Sequence, residues 1–144
     1  MVLFTANLFG DWINLINKCR NLHSILLANN PNIYGDLNQL QNHDKLQNFN
    51  MYNTKISGDI ANFAKFTTKN FILDKYSHYI GPSLCMYLYN CSNLYGDIQV
   101  FSSLDVSQVE LPSCSQITGD ISAFKNCTNL KWLSVNKPNK PGIY

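Results

Sequence analysis

Apolar residues recur along this chain in short phrases of the form L-x-x-L-x-L, where L stands for an apolar residue or, once, for threonine. The last two L positions are two residues apart, which is the alternation of a half-buried β-strand. Six phrases align and predict strands at 22–27, 46–51, 68–73, 84–89, 106–111 and 130–135. The side chains predicted to face inward are Leu22–Ile25–Leu27, Leu46–Phe49–Met51, Thr68–Phe71–Leu73, Leu84–Tyr87–Tyr89, Val106–Val109–Leu111 and Leu130–Leu133–Val135.

A Gly-Asp pair followed by an apolar residue recurs along the chain, after most phrases. The glycines of these pairs are Gly10, Gly35, Gly58, Gly96 and Gly119. A recurrence of about 23 residues is the signature of a repeat architecture, in which each coil buries its apolar face against its neighbours. Glycine suits a tight bend, and the aspartate suits the cap of a short helical or 3₁₀ turn. Apolar pairs three residues apart then face inward: Leu37–Leu40, Ile60–Phe63, Ile98–Phe101 and Ile121–Phe124.

One coil in the middle of the array departs from this pattern. Gly81 lies 23 residues beyond Gly58, but Pro82 stands in the place of the aspartate. Only a few residues separate Gly81 from the next phrase at Leu84, so the segment after the turn is missing there. The sequence therefore predicts a short central coil, which is either a tolerated deletion or a notch for a docking partner.

Taken together, the phrases and the Asn-rich turns that follow them resemble leucine-rich repeats. The Gly-Asp-Ile segment is similar to the plant-type subclass, and the phrase NCTNL at 126–130 is similar to repeats of bacterial surface and phage proteins. The resemblance covers nearly the whole chain. It implies a single domain over 1–144: an α/β solenoid, coiled right-handed, with a concave parallel sheet of about six strands and an irregular or 3₁₀ convex side. Asparagine or cysteine is expected at the ninth repeat position and is found at Asn30 and Cys114, whereas Thr54, Tyr76, Ser92 and Pro138 stand there in the other copies.

Both ends of the array are predicted to be open. Residues 1–7 resemble the tail of a coil, residues 140–144 resemble the start of the next, and neither is a polar cap. Terminal coils of solenoids normally need capping to stay soluble. We therefore expect either a part of something larger or ends that partner subunits cover, with unrecognised local caps as the alternative.

The composition is that of a globular protein, with 45% hydrophobic and 14% charged residues. A net charge of +2 does not indicate binding to nucleic acid or to an anionic membrane. Neither a signal peptide nor a membrane-spanning run is predicted, so the cytoplasm or a viral particle is the favoured location. The five cysteines are predicted to be reduced, and Cys19 and Cys127, which lie in matching segments, are expected to pack inside coils.

Candidate chemistry is sparse. The histidines share no metal-ligand spacing with the cysteines, and helix capping accounts for the row of aspartates without calcium. No nucleotide-binding, nucleophile-elbow or zinc-protease motif occurs. We therefore predict no enzyme activity, no metal and no cofactor.

The predicted functional surface is the outward face of the concave sheet. Candidate binding residues are Leu26, Asn48, Asn50, Tyr52, Asn70, Ile72, Asp74, Met86, Leu88, Gln108, Glu110 and Trp132. Exposed apolar and aromatic side chains are typical contact anchors, although a register error of one residue would bury them. The expected function is recognition of a protein partner, with a glycan as the alternative ligand. The alternative function is that of a structural or assembly subunit, for example of a phage particle or surface appendage, packed through its ends.

Overall fold

The computed structural model describes residues 7–66 and 84–135. Its ten strands are β1 Phe9–Asp11, β2 Ser24–Leu26, β3 Asn32–Asp36, β4 Asn48–Asn50, β5 Lys55–Asp59, β6 Leu84–Tyr87, β7 Asn93–Asp97, β8 Val106–Glu110, β9 Gln116–Thr118 and β10 Trp132–Ser134. One α-helix, α1 Trp12–Lys18, and four 3₁₀ turns complete the described elements. The turns are η1 Leu37–Gln39, η2 Ile60–Lys65, η3 Ile98–Ser103 and η4 Ile121–Phe124.

The strands form two parallel five-stranded sheets. Odd-numbered strands make sheet A in the order β1-β3-β5-β7-β9, and even-numbered strands make sheet B in the order β2-β4-β6-β8-β10. Successive strands along the chain thus alternate between the sheets. Each sheet-A strand, the helical turn after it and the next sheet-B strand make one layer, from layer 1 (β1, α1, β2) to layer 5 (β9, η4, β10). This order is compatible with a solenoid-like α/β repeat.

Sheet A was not predicted. We expected a single concave sheet of about six strands, whereas the residues around each Gly-Asp pair form a second parallel sheet. The physical reason is that the apolar residue two positions before the glycine is buried in the three middle strands, at Ile33, Ile56 and Leu94, so the segment has strand alternation. The four 3₁₀ turns agree with the predicted convex side, while layer 1 carries an α-helix instead.

Five of the six predicted strands contain a strand of sheet B. The predicted strand at 68–73 lies outside the described residues. In sheet B, β4 pairs directly with β6 through Asn48 and Cys85. These two residues are 37 positions apart, whereas Ser24 and Asn48 are 24 apart. The chain between β4 and β6 is therefore longer than that between β2 and β4. The short coil predicted at Gly81–Leu84 lies outside the described residues, apart from Leu84 itself.

Strand β6 is shifted by one residue from its predicted register. Leu84, Met86 and Leu88 are fully buried, while Tyr87 and Tyr89 point outward. The pairing of β6 with β8 contains an irregularity between Leu84 and Cys85, which sets this register.

The Gly-Asp pairs form close contacts between successive layers. Gly58 and Gly96 have φ values of 106° and 122°, which favour glycine. A Cβ atom on Gly58 would lie 2.5 Å from Oδ1 of Asp36 in the layer before it. Each aspartate also caps the helical turn that follows, as predicted; Asp59 Oδ1 accepts a hydrogen bond from the amide of Ala61 at 2.8 Å.

Large apolar side chains fill the space between the sheets. Phe49 of β4 packs against the rings of Trp12, Phe63 and Phe66, with centroid distances of 5.2, 5.7 and 5.4 Å. The predicted inward pairs of the 3₁₀ turns are buried with one exception, Ile121, which is 57% exposed. Ile121 lies in layer 5, where no further described layer covers it.

The ninth repeat positions form a buried row of polar side chains that satisfy backbone carbonyls. This row consists of Asn30, Thr54, Cys91 and Cys114. Thr54 Oγ1 donates to the carbonyl of Met51 at 2.7 Å, and Cys91 Sγ donates to the same carbonyl at 3.3 Å. Cys91 occupies the place that we predicted for Ser92, as the shifted register of β6 requires.

Candidate functional site

The outward face of sheet B, here called the B face, carries two rows of side chains set by the strand register. The first row is Ser24, Asn48, Cys85, Gln108 and Trp132. The second row is Leu26, Asn50, Tyr87, Glu110 and Ser134. Residues in one row are neighbours on adjacent strands, so their side chains can contact one ligand together. No element among the described residues covers this face.

A third row extends the B face beyond the strand ends. It contains Ala28, Tyr52, Tyr89 and Pro112, which backbone hydrogen bonds hold in the same order. The amide of Asn53 donates to the carbonyl of Tyr89 at 3.0 Å, and the amide of Asn90 donates to that of Pro112 at 3.0 Å. Two tyrosines from adjacent coils thus stand beside each other at one edge of the face.

The chain then turns away from sheet B through residues in the left-handed conformation. These are Asn29, Asn53, Asn90 and Ser113, with φ values between 56° and 65°. Asparagine tolerates this conformation better than most residues, which accounts for the Asn-rich turns. The amides also connect the coils: Asn53 Nδ2 donates to Asn29 Oδ1 at 2.7 Å, and Asn29 Nδ2 donates to the Tyr52 hydroxyl at 3.0 Å. The Tyr52 side chain is therefore held in place.

The chemistry of the B face is amide and phenol rather than charge. Glu110 is the one carboxylate of the three rows, which contain no lysine or arginine. The Tyr87 hydroxyl donates to Gln108 Oε1 on the next strand. The side-chain oxygens of Asn48 and Asn50 are shielded from solvent and accept no hydrogen bond from the described residues. The centre of the face thus holds a tyrosine fixed by a hydrogen bond, beside amide groups whose oxygens are shielded.

Most of the predicted binding residues that the structure describes lie on this face. Leu26 and Trp132 are 62% and 57% exposed. Half-buried positions on the face are held by Asn48, Asn50, Tyr52, Gln108 and Glu110. Met86 and Leu88 were predicted wrongly, because both side chains are buried in the core. Asn70, Ile72 and Asp74 lie outside the described residues.

Sequence reasoning missed three residues of the B face, namely Cys85, Tyr87 and Tyr89. The run from Leu84 to Tyr89 is apolar or aromatic at every position, so its alternation fits two registers equally well. The hydroxyl groups of the tyrosines were the available signal, since tyrosine leaves its polar end in water more readily than methionine or leucine does.

The cysteines have structural surroundings. All five are free thiols; Cys127 is buried as predicted, but Cys19 is exposed because layer 1 has no described layer before it. Burial raises the pKa of Cys91 to about 12 and that of Cys114 to about 11. Such thiols are protonated at neutral pH and are poor nucleophiles.

No group of three or more metal-ligating side chains occurs in the two described stretches. Within the same stretches, no helix has both the length and the apolar character needed to cross a membrane. Among known proteins, no family model, no curated protein and no solved structure matches this chain.

Proposed function

We propose that this chain is a leucine-rich-repeat solenoid that binds another protein through the B face. One observation carries the proposal: five parallel strands hold tyrosine and amide side chains in continuous rows on a face that no described element covers. Parallel sheets usually have both faces covered, because the connections between their strands place other elements on them. A partner protein would supply the missing cover.

The side chains of the B face suit a protein ligand. Tyr52, Tyr87 and Tyr89 supply large contact area and a hydroxyl at a small cost in conformational entropy. Asn48 and Asn50 are half-buried amide side chains, of the kind that supplies adaptable hydrogen bonds at protein interfaces. Aromatic side chains are enriched at protein interfaces and lysine is depleted. The B face carries four aromatic side chains, those of Tyr52, Tyr87, Tyr89 and Trp132, and no lysine.

The repeat anatomy supports the leucine-rich-repeat assignment. Paired positions in sheet B recur at 22 to 24 residues in three of the four strand pairs. At the ninth position, Asn30, Thr54, Cys91 and Cys114 bind backbone carbonyls inside the coil. Free thiols at two of these positions support a reducing compartment such as the cytoplasm or the interior of a viral particle.

Matched tyrosine variants test the B face. The double variant Tyr52→Ser, Tyr89→Ser alters the B face, and Tyr34→Ser, Tyr95→Ser alters two exposed tyrosines of sheet A. The two pairs are comparable because Tyr52 and Tyr95 each accept a hydrogen bond from an asparagine amide. Each variant and the unaltered chain are used to capture partners from a lysate of the source organism.

We expect one protein to be captured by the unaltered chain and by the sheet-A variant. The B-face variant should bind it at least about tenfold more weakly, as loss of an interface anchor does. Equal losses in both variants, or capture of only more copies of the same chain, would overturn the proposal. Circular dichroism and thermal unfolding establish that both variants are folded.

A further inference from the structure

A contact between glycine and aspartate joins each pair of successive layers. Gly35, Gly58, Gly96 and Gly119 each lie against the aspartate of the layer before, which is Asp11, Asp36, Asp59 and Asp97 respectively. Gly10 in layer 1 is different, since a Cβ atom there would meet none of the described residues within 4 Å. Asp120 in layer 5 is exposed and has no described glycine against it. The two ends of the array thus carry the two unmatched halves of a contact that occurs four times inside it.

The strand register of sheet A makes the same point. Each Gly-Asp pair faces the two residues that precede the next glycine: Gly96 pairs with Ile117, and Asp97 with Thr118. The same rule holds at the other three strand pairs. By the same rule, the residues that pair with Gly119 and Asp120 should be an apolar residue and the residue after it, followed directly by a glycine. Leu8-Phe9-Gly10 has this sequence.

Exposed apolar side chains concentrate in the same two layers. Leaving tyrosines aside, the large hydrophobic residues exposed among the described residues are Leu8, Phe9, Leu15 and Leu26 in layer 1 and Ile121, Trp132 and Val135 in layer 5. Phe9 is 83% exposed. At the layer-5 end, Ile98, Leu111, Ile117, Ile121 and Val135 line a cavity of about 280 Å³. Exposed apolar side chains thus lie in layer 1, and an apolar cavity lies at the layer-5 end.

We propose that copies of this chain stack head to tail, with layer 1 of one copy seated on layer 5 of the next. Gly10 of one copy then lies against Asp120 of the other, and Leu8 of the first copy is the strand partner of Gly119 in the second. In sheet B, Ser24 and Leu26 continue the rows that end at Trp132 and Ser134. The order of strand, helical turn and strand is the same in both layers, so each element meets its counterpart.

A second copy fits the open end better than the last residues of the same chain do. Gly142 has the spacing to follow Gly119, but Lys140 stands two residues before it, where the apolar residues Leu8 and Ile33 stand before Gly10 and Gly35. Pro141 would also remove an amide donor from the new strand. Leu8 to Asp11 of a second copy restores the apolar residue, the glycine and the capping aspartate together.

The proposed interface joins different surfaces of the two copies. Such a head-to-tail contact leaves one free end on each side and does not close on itself after two copies. The assembly should therefore grow with concentration. This proposal does not depend on the B face as a recognition surface, because the ends and the face are altered by different substitutions.

Two end variants and one interior control test the stacking. Phe9→Asp places a carboxylate opposite Asp120 and blocks the layer-1 end, and Ile121→Asp places one at the cavity and blocks the layer-5 end. Both side chains are exposed, so neither change introduces charge into the core. Ala61→Asp makes the same charge change at an exposed position of η2 in layer 3. Sedimentation velocity from micromolar to near-millimolar concentration measures the mass of each.

We expect the mass of the unaltered chain and of Ala61→Asp to rise steadily with concentration. Each end variant alone should remain monomeric, because it has only one active end. An equimolar mixture of the two should form a dimer and nothing larger, because the active layer-5 end of Phe9→Asp binds the active layer-1 end of Ile121→Asp and both outer ends of that dimer are blocked. The proposal is overturned if the unaltered chain stays monomeric, as it would if residues 136–144 covered the end. It is also overturned if either end variant dimerises alone. The variant Tyr52→Ser, Tyr89→Ser should still associate, which separates this test from that of the B face.

Discussion

Gly58 lies against the carboxylate of Asp36, so that a Cβ atom on Gly58 would stand 2.5 Å from Asp36 Oδ1 and 2.9 Å from the amide nitrogen of Leu37. Asp36 is itself fixed, because its Oδ1 accepts a hydrogen bond from the amide of Asn38 at 2.9 Å. The capping aspartate of one layer therefore determines which residue the next layer can carry. This relationship explains why glycine and aspartate recur together.

Replacement of Gly58 by alanine should be more destabilising than the same change at Gly10. Both glycines have positive φ, so each alanine adds backbone strain of about 1–3 kcal/mol. Only Gly58→Ala also forces a methyl group against a fixed carboxylate and a backbone amide, for a total loss of roughly 3 kcal/mol or more. Urea unfolding measures both free energies. Equal losses at the two positions would show that the contact between layers contributes nothing.

The register of β6 can be tested with lysine substitutions at adjacent positions. Met86→Lys should prevent folding, because the ammonium group would enter a core where Met86 is fully buried. Tyr87→Lys should remain folded and lose about 1 kcal/mol, chiefly from the hydrogen bond to Gln108. Circular dichroism and thermal unfolding distinguish the two. The opposite order would restore the register predicted from the sequence.

Loss of the buried hydroxyl of Thr54 should lower stability with little change in shape. Thr54→Val removes the hydrogen bond to the carbonyl of Met51, which costs about 1 kcal/mol, while Cys91 Sγ still donates to that carbonyl. Thr128→Val, at an exposed position, is the matched control and should be close to neutral. Chemical denaturation measures both. A loss at Thr128 as large as that at Thr54 would argue against a stabilising row at the ninth positions.

Stability should fall in alkaline solution because of two buried thiols. Burial raises the pKa of Cys91 to about 12 and that of Cys114 to about 11, from 9.0. The folded protein retains these protons where the unfolded chain releases them, so their contribution is complete below pH 9.0 and is lost as pH rises toward the folded values. Each thiol contributes at most about 1.4 kcal/mol per pH unit.

The measurement is the free energy of unfolding in urea from neutral pH to about 10.5. The double variant Cys91→Ala, Cys114→Ala is the control, since it retains every lysine and tyrosine that titrates in the same range. It should be less stable at neutral pH but lose stability less steeply above pH 9.0. Parallel curves for the two proteins would mean that the thiols are not shielded in the folded state.

The sequence predicts the period of the array and most of sheet B, because phrases such as 46–51 and 106–111 alternate in only one register. Capping by aspartate is also predictable, since it depends on neighbours two residues away. The register of β6 is not, because Leu84 to Tyr89 offers an apolar or aromatic side chain at every position and the choice depends on pairing with β8. Sheet A is missed for a related reason: four of its five short strands end in glycine and aspartate, which single-sequence patterns assign to turns.

The candidate face is predictable only in part. Leu26, Asn50 and Glu110 follow from alternation along strands with a clear pattern, whereas Tyr87 depends on the pairing of β6 with its neighbours. The sequence suggests that both ends of the array are open. The match between Gly10 and Asp120 can be recognised only from the structure, which shows the contact between a glycine and the aspartate of the layer before it. That contact joins residues more than 20 positions apart, which no local pattern reveals.

The direct pairing of β4 with β6 across 37 residues separates the length of a connection from the order of the strands. Sheet B keeps its strand order and parallel pairing there, although the chain that joins the two strands is more than a dozen residues longer than in the other coils. The architecture of sheet B therefore depends on pairing between neighbouring layers and not on a constant repeat length.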